Sequence, residues 1–143
     1  MEYKNKDGTP SPSHIVTGKI GEAVAADYLM THGYKIVCRN YRFHRDEIDI
    51  IASDGQYIVF VEVKTRHEFQ SSKYGRPSRA VNYGKRRNLV NAAKAFIRNL
   101  KIVSPCRFDV IEVYVNDDTV TGKQSYKVAH LKGVFGAGGK IGF

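Results

Sequence analysis

The chain is short of cysteine, of acid and of long apolar runs, and each shortage narrows what it can be. Its 143 residues hold two cysteines, Cys38 and Cys106, isolated from each other and from any histidine motif. Two such thiols build no disulfide framework and no zinc site, and the expectation is a reducing, cytoplasmic setting. No apolar stretch approaches the ~18 residues that a membrane-crossing helix needs. The first residues are polar and have no apolar core of the kind a secretory signal carries. No internal repeat is visible. Acids are outnumbered by Lys and Arg, 14 to 23, which leaves a formal net charge of +9 and a pI near 9.6. A surplus of that size favours an anionic partner, nucleic acid or acidic membrane. The membrane reading is the weaker, because neither predicted helix joins a strong apolar face to bulky anchors.

What is present is enough for one core. Apolar residues make up 42% and charged residues 26%, the balance of a single globular domain rather than of a disordered chain. Residues 1–13, with Pro10 and Pro12, read as a flexible arm, and 132–143 as a glycine-rich mobile tail, leaving 14–131 as the folded domain. A helix is expected from His14 to His32, capped by Ser13 and closed by Gly33, with Ile20, Val24, Ala25, Tyr28 and Leu29 on its apolar arc. Gly18 and Gly21 weaken that helix, a loss that close approach to another backbone would explain. A strand follows over Tyr34–Phe43, in which Arg39, Tyr41 and Arg42 interleave charge and ring, a mixture suited to phosphate contact and base stacking. Residues 67–80 read as a basic loop with Lys73, Arg76 and Arg79. A second helix is expected over Asn82–Leu100, with Leu89, Ala93, Phe96, Ile97 and Leu100 buried and Lys85, Arg86 and Arg87 clustered at its start. That run is either a solvated helix face or, since cations there oppose the helix dipole, a phosphate grip. Strands are expected over Cys106–Val115 and Tyr126–Leu131. Asp109 either joins an acidic site or pairs with Arg107 or another base. The order predicts an α/β fold: a mixed sheet with helices packed against it.

The chemistry concentrates in Glu47–Arg66. Two β-branched runs flank Asp54-Gly55, a strong hairpin signal. A two-residue loop there would set Ser53 opposite Gln56, Asp49 opposite Phe60 and diagonal to Glu62, and Glu47 opposite Glu62. Three carboxylates and Lys64 would then share one face of an apolar ribbon. Carboxylates so close repel; Lys64 offsets one, and a divalent cation would offset the rest. All-oxygen ligands favour Mg²⁺ or Mn²⁺. Glu22, at the border of the first helix's apolar arc, either reaches over the sheet edge toward this face or is an ordinary surface acid.

A helix glutamate, then Asp49, then Glu62-Val63-Lys64, resembles the PD-(D/E)xK nuclease core found in restriction endonucleases and archaeal Holliday-junction resolvases. A longer string resembles one bacterial family, YraN: Gly21-Glu22, Gly33-Tyr34, Arg39-Asn40-Tyr41-Arg42, Glu47-Ile48-Asp49-Ile50-Ile51, Val59 through Arg66, Tyr74-Gly75-Arg76-Pro77, Lys85 and Arg107-Phe108-Asp109-Val110. One departure is Asp46, where the family usually has glycine. The resemblance implies a restriction-endonuclease-like three-layer core with a sheet of about five strands, and nucleic-acid binding. On that basis the expectation is a Mg²⁺- or Mn²⁺-dependent phosphodiesterase acting on branched or structured DNA. Asp49, Glu62 and Glu22 would hold metal with the Val63 carbonyl, and Lys64 would act on the attacking water. Arg39, Arg42, Arg66, Arg76, Lys85, Arg86 and Arg87 would hold the nucleic acid. A homodimer would suit a two-fold branched substrate. The alternative is a module on the same fold that grips nucleic acid or a protein without cutting.

Overall fold

The computed structural model describes residues 13–67 and 83–135, and side chains over 18–67 and 86–134. The expected arm, the basic loop carrying Arg76, and the end of the glycine-rich tail lie outside the described residues. The element order is α1 Ser13–Thr31, β1 Lys35–Phe43, β2 Asp46–Ser53, β3 Ile58–His67, α2 Tyr83–Leu100, β4 Cys106–Asp117 and β5 Gln124–Phe135. The five strands form one sheet in sequence order. Neighbours are antiparallel except β3 and β4, which run parallel because the α2 crossover joins them. The expected mixed α/β sheet is present, and it is consistent with a restriction-endonuclease-like core.

Each face of the sheet carries one helix, giving three layers. On one side Ala25, Ala26 and Leu29 of α1 pack against Ile50, Ala52, Val59, Val61, Ile111 and Val113. On the other, Leu89, Ala92, Ala93, Phe96 and Ile97 of α2 cover Ile48, Ile51, Phe60, Phe108 and Val110. Leu100, expected in that face, is instead 42% exposed, because α2 ends there. Helix α1 stops as its sequence predicts. Gly33 takes a φ of 86°, Gly33 N–H donates to Met30 O at 3.2 Å, and Tyr34 N–H donates to Leu29 O at 2.9 Å, the paired bonds of a glycine-closed helix end. Gly21 marks a close approach, though to a side chain: a Cβ at this position would fall on Thr65 Oγ1 of β3. Gly18 has open space around it.

The central hairpin differs from expectation by two residues. Ser53 pairs with Ile58, not Gln56, so the loop is 54–57. The Asp54 carboxylate explains the longer turn. Its Oδ1 accepts from Gln56 N–H at 2.9 Å and from Tyr57 N–H at 2.6 Å, while its Oδ2 meets an Arg107 Nη at 3.2 Å. Tyr57 O accepts from Asp54 N–H at 3.2 Å, and its ring lies under the Arg107 guanidinium, 5.6 Å from ring centroid to Cζ. The last strand is also longer than expected: β5 covers Gln124–Phe135, so 132–135, placed by sequence in the tail, are strand.

Candidate acidic site

A two-residue shift preserves which face each side chain takes, but it changes who meets whom. Continuing the observed count past its last pair, Ile50↔Val61, brings Asp49 level with Glu62 instead of Phe60. At that level β2 and β3 part. Asp49 Oδ2 accepts a hydrogen bond from Val63 N–H at 2.8 Å, so a carboxylate occupies the fork between the strands.

A second irregularity turns the acids toward α1. On a regular strand, residues three apart face opposite sides. Yet Cys38 and Tyr41 of β1, and Ile51 and Ile48 of β2, all reach the core beneath α2. Both strands therefore change phase together, between the Arg39↔Ile50 and Tyr41↔Ile48 pairs. Asn40 sits at that step with a φ of 54°, left-handed backbone inside a strand. With Ile48 committed to the α2 side, Glu47 and Asp49 project the other way, where Glu22 extends from α1. Carboxylate oxygens of Glu22, Glu47 and Asp49 lie within 4.8 Å of one another. All three side chains are half-buried and open to solvent.

The surrounding charges are mixed. Asn40, with its amide nitrogen turned to the acids as the surrounding acceptors require, donates to Glu47 Oε1 at 3.0 Å and to Glu22 Oε2 at 3.2 Å. Arg42 pairs with Glu47 at 3.4 Å, and Lys64 pairs with Glu62 at 3.4 Å. Burial, and after it the charge of Glu47, raises Glu22 above the ordinary carboxylate value; Glu62 adds to this, and Arg39 and Lys19 oppose it.

Of the residues singled out from sequence, Glu22 and Asp49 thus come together, and Glu62 with Lys64 lies beside them. Glu62 is outside the tight trio, and Glu47, named on the expected face but given no role, is inside it. Arg39 and Arg42 are exposed at the rim. Arg66 is held by the buried Glu112, Nε to Oε2 at 3.2 Å. Arg87 is exposed and Arg86 half-buried on the first turns of α2; the Lys85 side chain and all of Arg76 lie outside the described residues. Asp109 joins no acidic site. It takes Arg107 at 2.9 Å and His130 at 2.7 Å, the second of the two roles its sequence left open. Sequence reasoning missed the role of Asn40, and the available signal was an asparagine inside a strand pattern, a residue that tolerates left-handed backbone.

The donor set suits a hard divalent cation. Among the described residues the grouping contains carboxylates alone, with no thiol or imidazole, which favours Mg²⁺ or Mn²⁺ over zinc. No described helix is long and apolar enough to cross a membrane.

Residues 21–113 match the uncharacterised protein family UPF0102. The chain is 43% identical over 126 residues to a UPF0102 protein of Chlorobium chlorochromatii, covering 88% of this chain and 95% of that one. It is 44% identical over 123 residues to one of Thermodesulfovibrio yellowstonii, covering 86% and 98%. A Clostridium botulinum relative is 40% identical over 137 residues, covering 94% and 98%.

Proposed function

Because this chain belongs to UPF0102, the YraN family, whose name commits it to no reaction, we propose its function from the chemistry of its acids: metal-dependent hydrolysis of phosphodiester bonds in structured or branched DNA. One observation carries the reading. Three carboxylates from α1 and β2 converge within 4.8 Å beside a lysine on β3, in a chain of net charge +9. Acids held this close without compensation would lower stability, and that arrangement is reasonable where a cation is to be held.

Glu22, Glu47 and Asp49 would hold the ion, with Glu62 alongside. Bound Mg²⁺ or Mn²⁺ supplies positive charge against the phosphate and lowers the pKa of water. The chain's own groups do the rest. Glu62 keeps Lys64 beside the trio, where its ammonium orients the attacking water and stabilises charge developing on the phosphate oxygens. Asp49 is held in the fork by Val63 N–H. Arg39 and Arg42 at the rim, with Arg87 on α2, would grip the backbone through salt-sensitive contacts.

The test is cleavage of labelled four-way junctions, flaps and single strands with Mg²⁺ or Mn²⁺, alongside filter binding at several salt concentrations. Wild type should nick at least one of these. Lys64→Ala and Asp49→Asn should each cut about 100-fold more slowly or worse, and binding should weaken log-linearly with salt. Absence of cutting on every DNA and RNA substrate, or Lys64→Ala cutting as well as wild type, defeats the proposal. One observation favours the rival, a non-cutting module: Glu47 and Glu62 already have cationic partners in Arg42 and Lys64. That reading gains if binding is unchanged by EDTA and no strand is broken.

A further inference from the structure

We propose that Asn40 is a positioning residue, whose side-chain amide clamps Glu22 of α1 to Glu47 of β2 so that the acids are presented together to one divalent cation. This rests on the reading of the trio as an ion site. Three features of Asn40 support it. Its backbone is left-handed, φ 54°, in the interior of a strand, a conformation that costs L residues strain. Its side chain is exposed, so packing does not offset that cost. Its amide has two donors and two acids within reach, Glu47 Oε1 at 3.0 Å and Glu22 Oε2 at 3.2 Å.

The choice of residue follows. Glycine would satisfy the backbone with less strain, but it offers no donor. Lysine or arginine would offer donors, but would neutralise charge the cation needs and compete for the same oxygens. A neutral amide relieves repulsion between the carboxylates and leaves their charge in place. The same left-handed step is where β1 and β2 change phase and Glu47 and Asp49 turn toward α1, so the residue at the step also ties Glu47 to Glu22. Partners that orient metal ligands in this way usually contribute 10–100-fold to affinity (order of magnitude).

The experiment is Mn²⁺ binding to the full chain by calorimetry, with thermal midpoints measured on the same samples. Asn40→Gly removes the amide while keeping the backbone freedom, and Glu47→Gln removes one clamped acid. Wild type should bind Mn²⁺, and Asn40→Gly should bind it about 10-fold more weakly or worse with its metal-free midpoint preserved. Glu47→Gln should lose as much or more. Should wild type bind and Asn40→Gly bind equally, the clamp is wrong and the ion site stands. Should wild type itself bind no Mn²⁺, the ion-site reading falls and the inference with it. A loss of affinity in Asn40→Gly that tracks a matching fall in midpoint also overturns the proposal, because folding rather than positioning would then be the cause.

Discussion

Glu22 shows what the site does to a single side chain. In an unfolded chain it ionises near the ordinary value of 4.5; in the fold, burial and the charge of Glu47 raise it. The folded chain then binds the proton more tightly than the unfolded one over the interval between the two values. Stability therefore falls as pH rises through that interval, and the loss persists above it. Glu22→Gln should raise the metal-free melting temperature at neutral pH by a few degrees and leave it unchanged near pH 3, as scanning calorimetry in EDTA would read. Sequence alone left Glu22 undecided between surface and site, because helical spacing fixes an arc but not how far a border residue reaches. Its companion Glu47 had no assigned role, since that role depends on the phase change at Asn40.

At the scale of elements, the pattern rules worked wherever pairing is regular. Alternation along β3 and β4 places Phe60, Phe108 and Val110 under α2 and Val61, Ile111 and Val113 under α1. They failed at the hairpin, where the Asp54 side chain adds to the Asp54–Tyr57 main-chain bond that closes the turn and Arg107 lies over the Tyr57 ring. The Asp54 contacts are local but span residues 54–57, and the Arg107 contact comes from a distant strand, so no dipeptide rule contains them. The packing of α1 on β3 depends on Gly21, which the sequence marked as a weak point of the helix. Gly21→Ala should lower stability by about 1–3 kcal/mol in urea unfolding, although alanine is the better helix former. Thr65→Ala in the same chain should recover part of the loss by removing Thr65 Oγ1. Full stability in Gly21→Ala would mean that α1 shifts freely on the sheet.

Across the whole molecule, one network around a buried acid ties α1 to β4 and β5. Asp109, 1% exposed, accepts from Gly133 N–H at 2.9 Å and meets Arg107 and His130. His130 Nδ1 lies 3.3 Å from the Tyr28 hydroxyl of α1, and Arg107 donates to the Tyr34 hydroxyl at 2.9 Å. Burial alone would raise Asp109, but the bonds from His130, Arg107 and Gly133 outweigh it and hold the carboxyl below its ordinary value. That stability is complete above the ordinary value and is lost as pH falls through the lower, folded one. Asp109→Asn should cost about 3–5 kcal/mol, because Arg107 and His130 would lose their charged partner; denaturant midpoints at pH 7 would show it. Pairing of Asp109 with Arg107 or another base was one of the two roles its sequence left open, and it is the one the fold takes. That reading did not contain Gly133, because the strand was expected to end at Leu131, nor the contact to His130, which depends on the β4–β5 register.

The fork between β2 and β3 gives the protein an internal gauge. A main-chain proton at Val63 is shielded by a side chain rather than by a neighbouring strand. Its lifetime against exchange with heavy water is therefore set by what the Asp49 carboxylate is doing, and anything that draws that group outward must loosen a single, assignable amide in the middle of an otherwise locked sheet.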